Sequence, residues 1–462
     1  MVFFVLSIAV LSIGVPAYLL ADVPYAPRSE AWVVTLLVMV WAGLRLSVLW
    51  IRGTPRLFDF FFWLFTYIFM GIAPTAQIRS GLVSTTTPGI DPGLDLLTAG
   101  VVVLGVVCYE IGRLVWAVRE HQEGQHKSTS IARPVGKTST VVLFAVALLL
   151  SGYVLSKLGV TVLLGSRDAA SAAREAVWPD PATRSVVFAS GMYPLLVAVG
   201  ALSQLVRTAS TQARRRLSFV FALFGGAVLL LIVNPVTSAR YTFGTVAFAL
   251  LVYLGVVATR RAARLTMLGT IFGFLFLFPI ADAFRRVGGG EVTRTGFFSE
   301  YLSNPDYDAF WQIANALSYW IDGLVIPLNQ FLGNVLFWVP RSLWPDKPTD
   351  TGILLAQYRG YTFDNLSAPM WAEALVNGGI VAVIVVFLAY GLLTRWMDSQ
   401  IVSAIDEGGV WAIAGAVLPV FTTILLRGSL LQATGPLILT VVCIFAVRGA
   451  VRKKTPVTRG II

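Results

Sequence analysis

The chain has 462 residues, of which 56% are hydrophobic and 13% are charged, and its mean hydropathy is +0.77. Soluble domains carry about 25% charged residues, so this composition excludes a soluble globular protein. The many aromatic residues exclude a disordered or collagen-like chain, and two Cys exclude a disulfide scaffold. The net charge of +11 does not require a nucleic-acid partner, because basic residues also mark the cytoplasmic loops of membrane proteins.

Long apolar runs predict an all-α polytopic membrane protein with about twelve transmembrane helices, folded as one integral membrane domain over residues 1–462. The first run is interpreted as a retained helix, because no basic residue precedes it and no cleavage site follows it. The predicted spans are 2–20, 31–51, 59–78, 94–117, 139–158, 184–206, 217–234, 241–258, 264–282, 374–394, 411–426 and 435–448.

The distribution of charge predicts the orientation of these spans. When both termini are placed in the cytoplasm, the inner loops and helix ends collect most of the Lys and Arg residues, as the positive-inside rule requires. Two outer connections are then long, at 159–183 and 283–373. The second contains the apolar stretch 313–340, which predicts short amphipathic or re-entrant helices against the outer mouth of the bundle.

The motifs of soluble enzymes are missing from the sequence. It contains no Gly-rich phosphate loop and no nucleophile elbow, and its two histidines, His121 and His126, fall in a predicted cytoplasmic loop. We therefore predict no metal site and no cofactor. Chemistry at the outer face must then draw its free energy from an activated substrate or from a gradient.

Ionisable residues near the outer helix ends interrupt the hydrophobic pattern. Such groups are costly in a membrane, so each is a candidate functional residue, although a single Arg can also snorkel to the headgroups. Arg240 stands in a polar break that includes Asn234 and Pro235. Several outward guanidinium groups favour binding of a diphosphate, because they pair bidentately with phosphate oxygens. The ionisable residues that interrupt the hydrophobic pattern near the outer helix ends are Arg240, Asp282, Arg285, Arg286, Glu373 and Arg427.

The stretch 334–352 has the most specific local pattern. Two prolines, Pro340 and Pro345, fix the backbone at the predicted membrane surface. Aromatic residues nearby fit either stacking on sugars or the aromatic belt of the interface. The polar and aromatic side chains that this stretch presents are Arg341, Trp344, Asp346 and Lys347.

In these features the chain resembles the O-antigen polymerase (Wzy-like) family of oligosaccharide repeat-unit polymerases. The resemblance extends in layout over residues 60–395. Its motifs are YIFMGIAPTAQ (67–77), GSRD (165–168), TSARY (237–241), PRSLWPDKP (340–348) and AEALVNGG (372–379).

The resemblance implies a GT-C-like helical fold in the bacterial cytoplasmic membrane. It implies inverting, metal-independent glycosyl transfer at the outer face, in which a glycan on polyprenyl diphosphate is passed to a new lipid-linked repeat unit. A chain-length regulator and a flippase are implied as partners, beside the lipid bilayer. The motifs add Arg167, Tyr241 and Asn377 to the substrate-binding residues.

The predicted site divides into catalytic and substrate-binding groups. Glu373 is the first candidate for the general base and Asp282 the second, while Arg240 and Arg341 are predicted to stabilise the leaving diphosphate. A structural role for Glu373 at a helix N-terminus remains an alternative. The remaining substrate-binding candidates are Arg285, Arg286, Trp344, Asp346, Lys347 and Arg427.

Two alternative functions remain open at this point. An O-antigen ligase-like transferase would share the donor but use a different acceptor, and the absence of His from the predicted outer loops argues against it. A lipid-linked oligosaccharide flippase or transporter would be expected to show matched halves with broken helices, and the sequence shows no matched halves.

Overall fold

The structure, a computed structural model, describes residues 2–124, 134–277, 297–364 and 366–449. These described residues are predominantly helical, and the backbone bridge between Val135 and Arg448 is isolated. They form two compact units. The first consists of the described residues within 1–125, 256–399 and 418–437, and the second of those within 126–255, 400–417 and 438–462.

The helices are numbered along the chain. Those at the start of the first unit are α1 (Val2–Ile8), α2 (Val15–Asp22), α3 (Ala31–Arg52), α4 (Leu57–Phe65), α5 (Ala73–Arg79) and α6 (Gly93–Gly124). Those of the second unit are α7 (Lys137–Leu158), α8 (Val160–Leu163), α9 (Arg167–Val177), α10 (Pro181–Thr208), α11 (Gln212–Ile232) and α12 (Arg240–Tyr253). The next helices along the chain belong to the first unit again. They are α13 (Arg260–Phe272), α14 (Ser299–Ser303), α15 (Ala309–Ile321), α16 (Asn329–Val335) and α17 (Thr351–Arg359).

Three later helices have residues in both units: α18 (Met370–Glu407), α19 (Val410–Arg427) and α20 (Leu430–Ala446). Short π-helical turns occupy Ala9–Gly14, Thr66–Ile72 and Gly273–Leu277.

Nine helical segments of the described residues are long and apolar enough to cross a membrane, and they coincide with nine of the twelve predicted spans. Two of the other predicted spans, 241–258 and 435–448, fall on α12 and α20, which have 14 and 17 residues. The third, 264–282, falls on α13 and the π-helical turn after it, and its last residues, 278–282, lie outside the described residues. A 14-residue helix extends only roughly 21 Å, whereas the hydrocarbon core is about 30 Å thick. The membrane character and helical class are therefore confirmed, and the count of twelve spans stays a prediction.

The centre of the first unit is the continuous segment Leu57–Arg79, which is buried throughout its apolar window. A helix that is hydrophobic on all sides belongs inside a bundle rather than at its surface. Gly71 permits the close approach of α3, because a Cβ at this position would lie 2.8 Å from the Met39 Cα atom. Near the end of the segment, Gln77 accepts a hydrogen bond from the Trp311 indole (2.6 Å) and thereby fixes α15.

A buried charged network holds the start of α4. The carboxylate of Asp398 accepts hydrogen bonds from the backbone N–H groups of Phe58 (3.0 Å) and Asp59 (3.1 Å), which are donors without partners inside their own helix. Asp59 in turn pairs with Arg45, whose guanidinium also contacts Glu110. This network ties α3, α4, α6 and α18 together.

Candidate functional site

Glu373, the first candidate for the general base, lies in the first turn of α18. Its side chain is almost completely buried, at 2% exposure. One carboxylate oxygen accepts a hydrogen bond from the Thr351 hydroxyl (2.9 Å), and the other accepts from the backbone N–H of Leu430 (2.9 Å). Glu373 thus joins the start of α18 to the starts of α17 and α20.

A second carboxylate, Asp350, lies next to Glu373. It is the N-cap of α17, and its Oδ1 atom accepts a hydrogen bond from the Gly352 N–H (2.8 Å). The hydroxyl of Ser429 lies beside both carboxylates. Burial raises the pKa of Asp350 above its ordinary value of 3.8, so burial favours the protonated form of this carboxyl group. We call Asp350, Thr351, Glu373, Ser429 and Leu430 the Glu373 cluster.

The raised pKa of Asp350 predicts a pH dependence of stability. A carboxyl group with a higher pKa in the folded state binds more protons there than in the unfolded chain, so stability falls as pH rises from 3.8 through the folded-state pKa. Asp350→Asn should flatten this decline. Thermal unfolding midpoints of detergent-solubilised wild type and variant, measured from acidic to neutral pH, check the prediction; parallel curves for the two proteins would contradict it.

Arg427, at the end of α19, forms a second polar cluster. Its guanidinium pairs with the Asp306 carboxylate (3.1 Å) and lies 3.7 Å from that of Asp308. It also donates two hydrogen bonds to the backbone carbonyl of Asp306 (3.0 and 3.1 Å). We call these three residues the Arg427 cluster. Ser429 and Leu430 follow Arg427 almost directly. The short connection between α19 and α20 therefore joins the Arg427 cluster to the Glu373 cluster.

A line of hydrogen bonds extends from the Arg427 cluster along α15. Asp308 accepts from the Gln312 amide (3.4 Å), Gln312 accepts from Asn315 (3.0 Å), and Asn315 accepts from the Arg359 guanidinium (2.8 Å). Gln312 and Asn315 are fully buried. Buried polar side chains must be paired in this way, and the line fixes Arg359 at the end of α17.

An open cleft of about 470 Å³ lies beside these groups. The Thr86 hydroxyl at its wall contacts the Asp308 carboxylate (3.5 Å), and Pro305 directly precedes Asp306 in the chain. The Tyr361 hydroxyl donates to the Pro88 carbonyl (2.9 Å). The lining combines hydroxyls with aromatic rings, and its volume falls in the range of small-molecule sites, about 300–1,000 Å³. The lining residues are Thr85, Thr86, Pro88, Pro305, Gly360, Tyr361, Thr362 and Phe363.

The backbone of the loop 340–348 is held in place by hydrogen bonds from the loop's own cationic side chains. The guanidinium of Arg341 donates to the carbonyls of Lys347 (2.6 Å) and Pro348 (3.2 Å). The ammonium of Lys347 donates to the carbonyls of Phe337 (2.7 Å) and Val339 (2.9 Å). Burial and the neighbouring charge of Arg341 lower the pKa of Lys347. Trp344 is half-buried and Asp346 is exposed in the same loop.

Asn377 and the two glycines after it end the first segment of α18. The Asn377 side chain accepts from the Phe331 N–H (2.7 Å) and donates to the Glu373 carbonyl (2.8 Å). At Gly378 and Gly379 the backbone leaves the helical conformation, and Gly379 has φ +62°. Only glycine fits here, because a Cβ would lie 2.1 Å from the Trp320 indole nitrogen.

The second unit contains Arg167, Arg240 and Tyr241. Arg167 is exposed at the start of α9, while Arg240 and Tyr241 begin α12. The predicted polar break before Arg240 is present: the side-chain oxygen of Asn234 accepts from the N–H groups of Val236 and Thr237 (both 3.0 Å). Its nitrogen donates to the Leu163 carbonyl (2.8 Å), which attaches the turn to the end of α8.

The structure thus brings Glu373 and Asn377 together, and it places Arg341, Trp344, Asp346 and Lys347 in one loop of the same unit. Three predicted residues, Asp282, Arg285 and Arg286, lie outside the described residues.

The sequence prediction missed Asp306, Asp308, Asp350 and Arg359. Asp308 and Asp350 each stand shortly before a run of mostly apolar residues, which is the pattern of a helix N-cap. Asp350 is observed as such a cap.

Comparisons with known proteins give no further assignment. No protein-family model, curated protein or solved structure matches the chain.

Proposed function

We propose that the protein is a membrane glycosyltransferase that polymerises oligosaccharide repeat units linked to polyprenyl diphosphate. Transfer is inverting and metal-independent, and it takes place at the outer face of the bacterial cytoplasmic membrane on a GT-C-like fold. The observation that carries this proposal is the pair of buried carboxylates, Asp350 and Glu373, joined by residues 427–430 to the Arg427 cluster beside an open cleft.

In this reaction Glu373 acts as the general base. It removes the proton from the acceptor hydroxyl while that oxygen attacks the anomeric carbon of the donor sugar, and the bond from this carbon to the diphosphate oxygen breaks. Asp350, whose pKa is raised by burial, affects the total charge of the two neighbouring carboxyl groups, Asp350 and Glu373. The break at Gly378 and Gly379 separates the short helical segment of Glu373 from the rest of α18.

The other polar groups bind and position substrate. The cleft provides the Tyr361 and Phe363 rings for stacking on an acceptor sugar, and Thr hydroxyls for hydrogen bonds. Arg341 uses two of its donors on the loop and presents its exposed guanidinium face to the departing diphosphate. Arg427 is paired with two carboxylates, so we assign it to positioning.

The decisive test is reconstitution. Purified protein in liposomes is incubated with a lipid-linked repeat unit, and the products are separated by size. A ladder of glycans whose steps equal one repeat unit supports the proposal. Unchanged lipid-linked substrate, in liposomes that contain folded protein, rejects polymerisation.

Orientation follows from the same proposal, which places both termini in the cytoplasm. Thr362→Cys and Ser210→Cys introduce exposed thiols on opposite predicted sides. We expect a membrane-impermeant maleimide, added to intact cells or spheroplasts, to label the first variant and to spare the second until the membrane is opened. Labelling of Ser210→Cys alone in intact cells would reverse the orientation and reject an outer site.

Metal independence gives a further prediction. Among the described residues, no three His, Cys, Asp or Glu side chains are grouped as metal ligands, and guanidinium groups can stabilise the diphosphate charge instead. We expect the ladder to form at an unchanged rate in excess chelator. A rate that collapses in chelator and returns with magnesium or manganese would show that a divalent cation is required.

A transporter of lipid-linked oligosaccharide is the second candidate function. It is favoured by the broken α18, because transporters place discontinuous helices beside their binding sites. Protein-dependent movement of lipid-linked oligosaccharide across a liposome membrane without chain extension would support it. Chain extension without movement would support the glycosyltransferase.

A further inference from the structure

The connection between α15 and α17 exposes much apolar surface, although its helix α16 has 7 residues and is too short to span a membrane. Ile326 is 63% exposed, Trp338 69% and Leu343 78%. Phe331 and Leu332 are also exposed, on the short helix α16. We call residues 324–343 the apolar segment. A surface of this kind in contact with water is rare, and it marks a site of interaction with a partner or a membrane.

The opposite side of the apolar segment is attached to the first unit. The backbone N–H groups of Leu328 and Phe331 donate to the carbonyl and side-chain oxygens of Asn377 (2.9 and 2.7 Å). The Phe337 ring lies in van der Waals reach of Gly435. The exposed side chains are therefore held outward on a fixed backbone.

Two backbone carbonyls of the apolar segment accept hydrogen bonds from a side chain that follows the segment. Lys347 supplies donors to the carbonyls of Phe337 and Val339, which follow the end of α16. Arg341, inside the segment, supplies donors to the carbonyls of Lys347 and Pro348, which follow the segment in the same loop. A loop in water needs no such provision, because solvent donates to its carbonyls. A loop in a bilayer does need it, since hydrocarbon offers no hydrogen-bond partner to an unpaired backbone group.

We propose that the apolar segment is seated in one leaflet of the bilayer, with its exposed side chains among the phospholipid acyl chains. Trp338 then lies at the depth where indole rings concentrate in membrane proteins. Arg341 and Lys347 lie beside the anionic headgroup phosphates, which their charges complement. The segment belongs to the membrane surface of the protein, together with the apolar spans, and this assignment does not depend on the proposed enzymatic activity.

Site-specific fluorescence tests the proposal in the full-length protein. The buried Cys108 and Cys443 are replaced by Ala, and single cysteines are introduced as Trp338→Cys and Leu343→Cys. Each is labelled with the environment-sensitive fluorophore NBD and reconstituted in phosphatidylcholine vesicles with or without dibromostearoyl phosphatidylcholine. Leu149→Cys, on an exposed position of a membrane span, is the lipid control. Thr362→Cys, exposed beside the cleft, is the water control.

We expect the probes at positions 338 and 343 to behave like the probe at 149. Their emission should be blue-shifted, strongly quenched by the brominated lipid and weakly quenched by aqueous iodide. The probe at 362 should show the opposite pattern. If both 338 and 343 instead match 362, the segment faces water and the proposal is wrong. Two separate positions guard against the failure of either variant to fold.

Discussion

Glu373→Gln should abolish glycan polymerisation while leaving a folded protein. Glutamine has nearly the same shape and can still accept a hydrogen bond from Thr351 or Leu430, but its amide cannot remove a proton. Loss of a general base lowers the rate by about 10²- to 10⁴-fold. The measurement is the initial rate of ladder formation in liposomes that contain equal amounts of protein.

Controls separate chemistry from structure in this experiment. Glu175→Gln changes an exposed Glu on α9 and should leave the rate unchanged. Glu373→Gln should retain binding of the lipid-linked glycan and elute as a folded protein in size-exclusion chromatography. If Glu373→Gln polymerises at the wild-type rate, Glu373 has only the structural role of joining α17, α18 and α20.

Arg427→Ala should destabilise the first unit and reduce activity. The substitution leaves the carboxylate of Asp308 buried without its cationic neighbour, and it removes two donors from the Asp306 carbonyl. Hydrogen bonds to charged groups contribute about 1.5–3 kcal/mol, and Asp306 is partly exposed, so water compensates part of its loss. We expect a free energy of unfolding lower by about 2–3 kcal/mol.

The charge and the forked shape of Arg427 can be tested separately. Arg427→Lys keeps the charge but loses the two-pronged contact, so it should recover only part of the stability. Combining Arg427→Ala with Asp308→Asn removes the unpaired charge and should cost less than the sum of the two single changes. Arg215→Ala, at an exposed position on α11, is the matched control. Chemical denaturation in detergent measures these four variants and the single variant Asp308→Asn. Equal unfolding of Arg427→Ala and wild type would show that the ion pairs do not stabilise the protein.

The parts of the fold that depend on hydrophobicity alone could be predicted from the sequence. The nine helices of the described residues that are long and apolar enough to cross a membrane are long apolar runs, and a backbone in hydrocarbon must form helices to pair its polar groups. The end of α12 could not be predicted, because the turn at Gly255 ends the helix inside the apolar run 241–258, which reads as continuous. Hydropathy is averaged over a window of many residues, so it does not locate the end of such a helix.

The site was predictable only in part, because its partners are distant in the chain. The position of Glu373 at the start of a helix follows from local sequence. Its contacts with Thr351 and Leu430 span 22 and 57 residues, and no local pattern specifies them. The loop 340–348 was predicted to be fixed by its prolines. The hydrogen bonds from Arg341 and Lys347 to its carbonyls depend on how the loop closes in three dimensions.

The break in α18 also bears on how the protein enters the membrane during synthesis. The helix has 38 residues, and at about 1.5 Å per residue an unbroken rod would be roughly 57 Å long, nearly twice the hydrocarbon thickness of about 30 Å. An acidic residue at the centre of an inserting helix costs about 2.5–3.5 kcal/mol. From Gly379 to Thr394 the sequence contains no ionisable side chain other than Tyr390. Because the chain breaks before this stretch, the insertion machinery can recognise it as a span by itself. Glu373 can then reach its buried position through later folding of the protein rather than by passage through lipid.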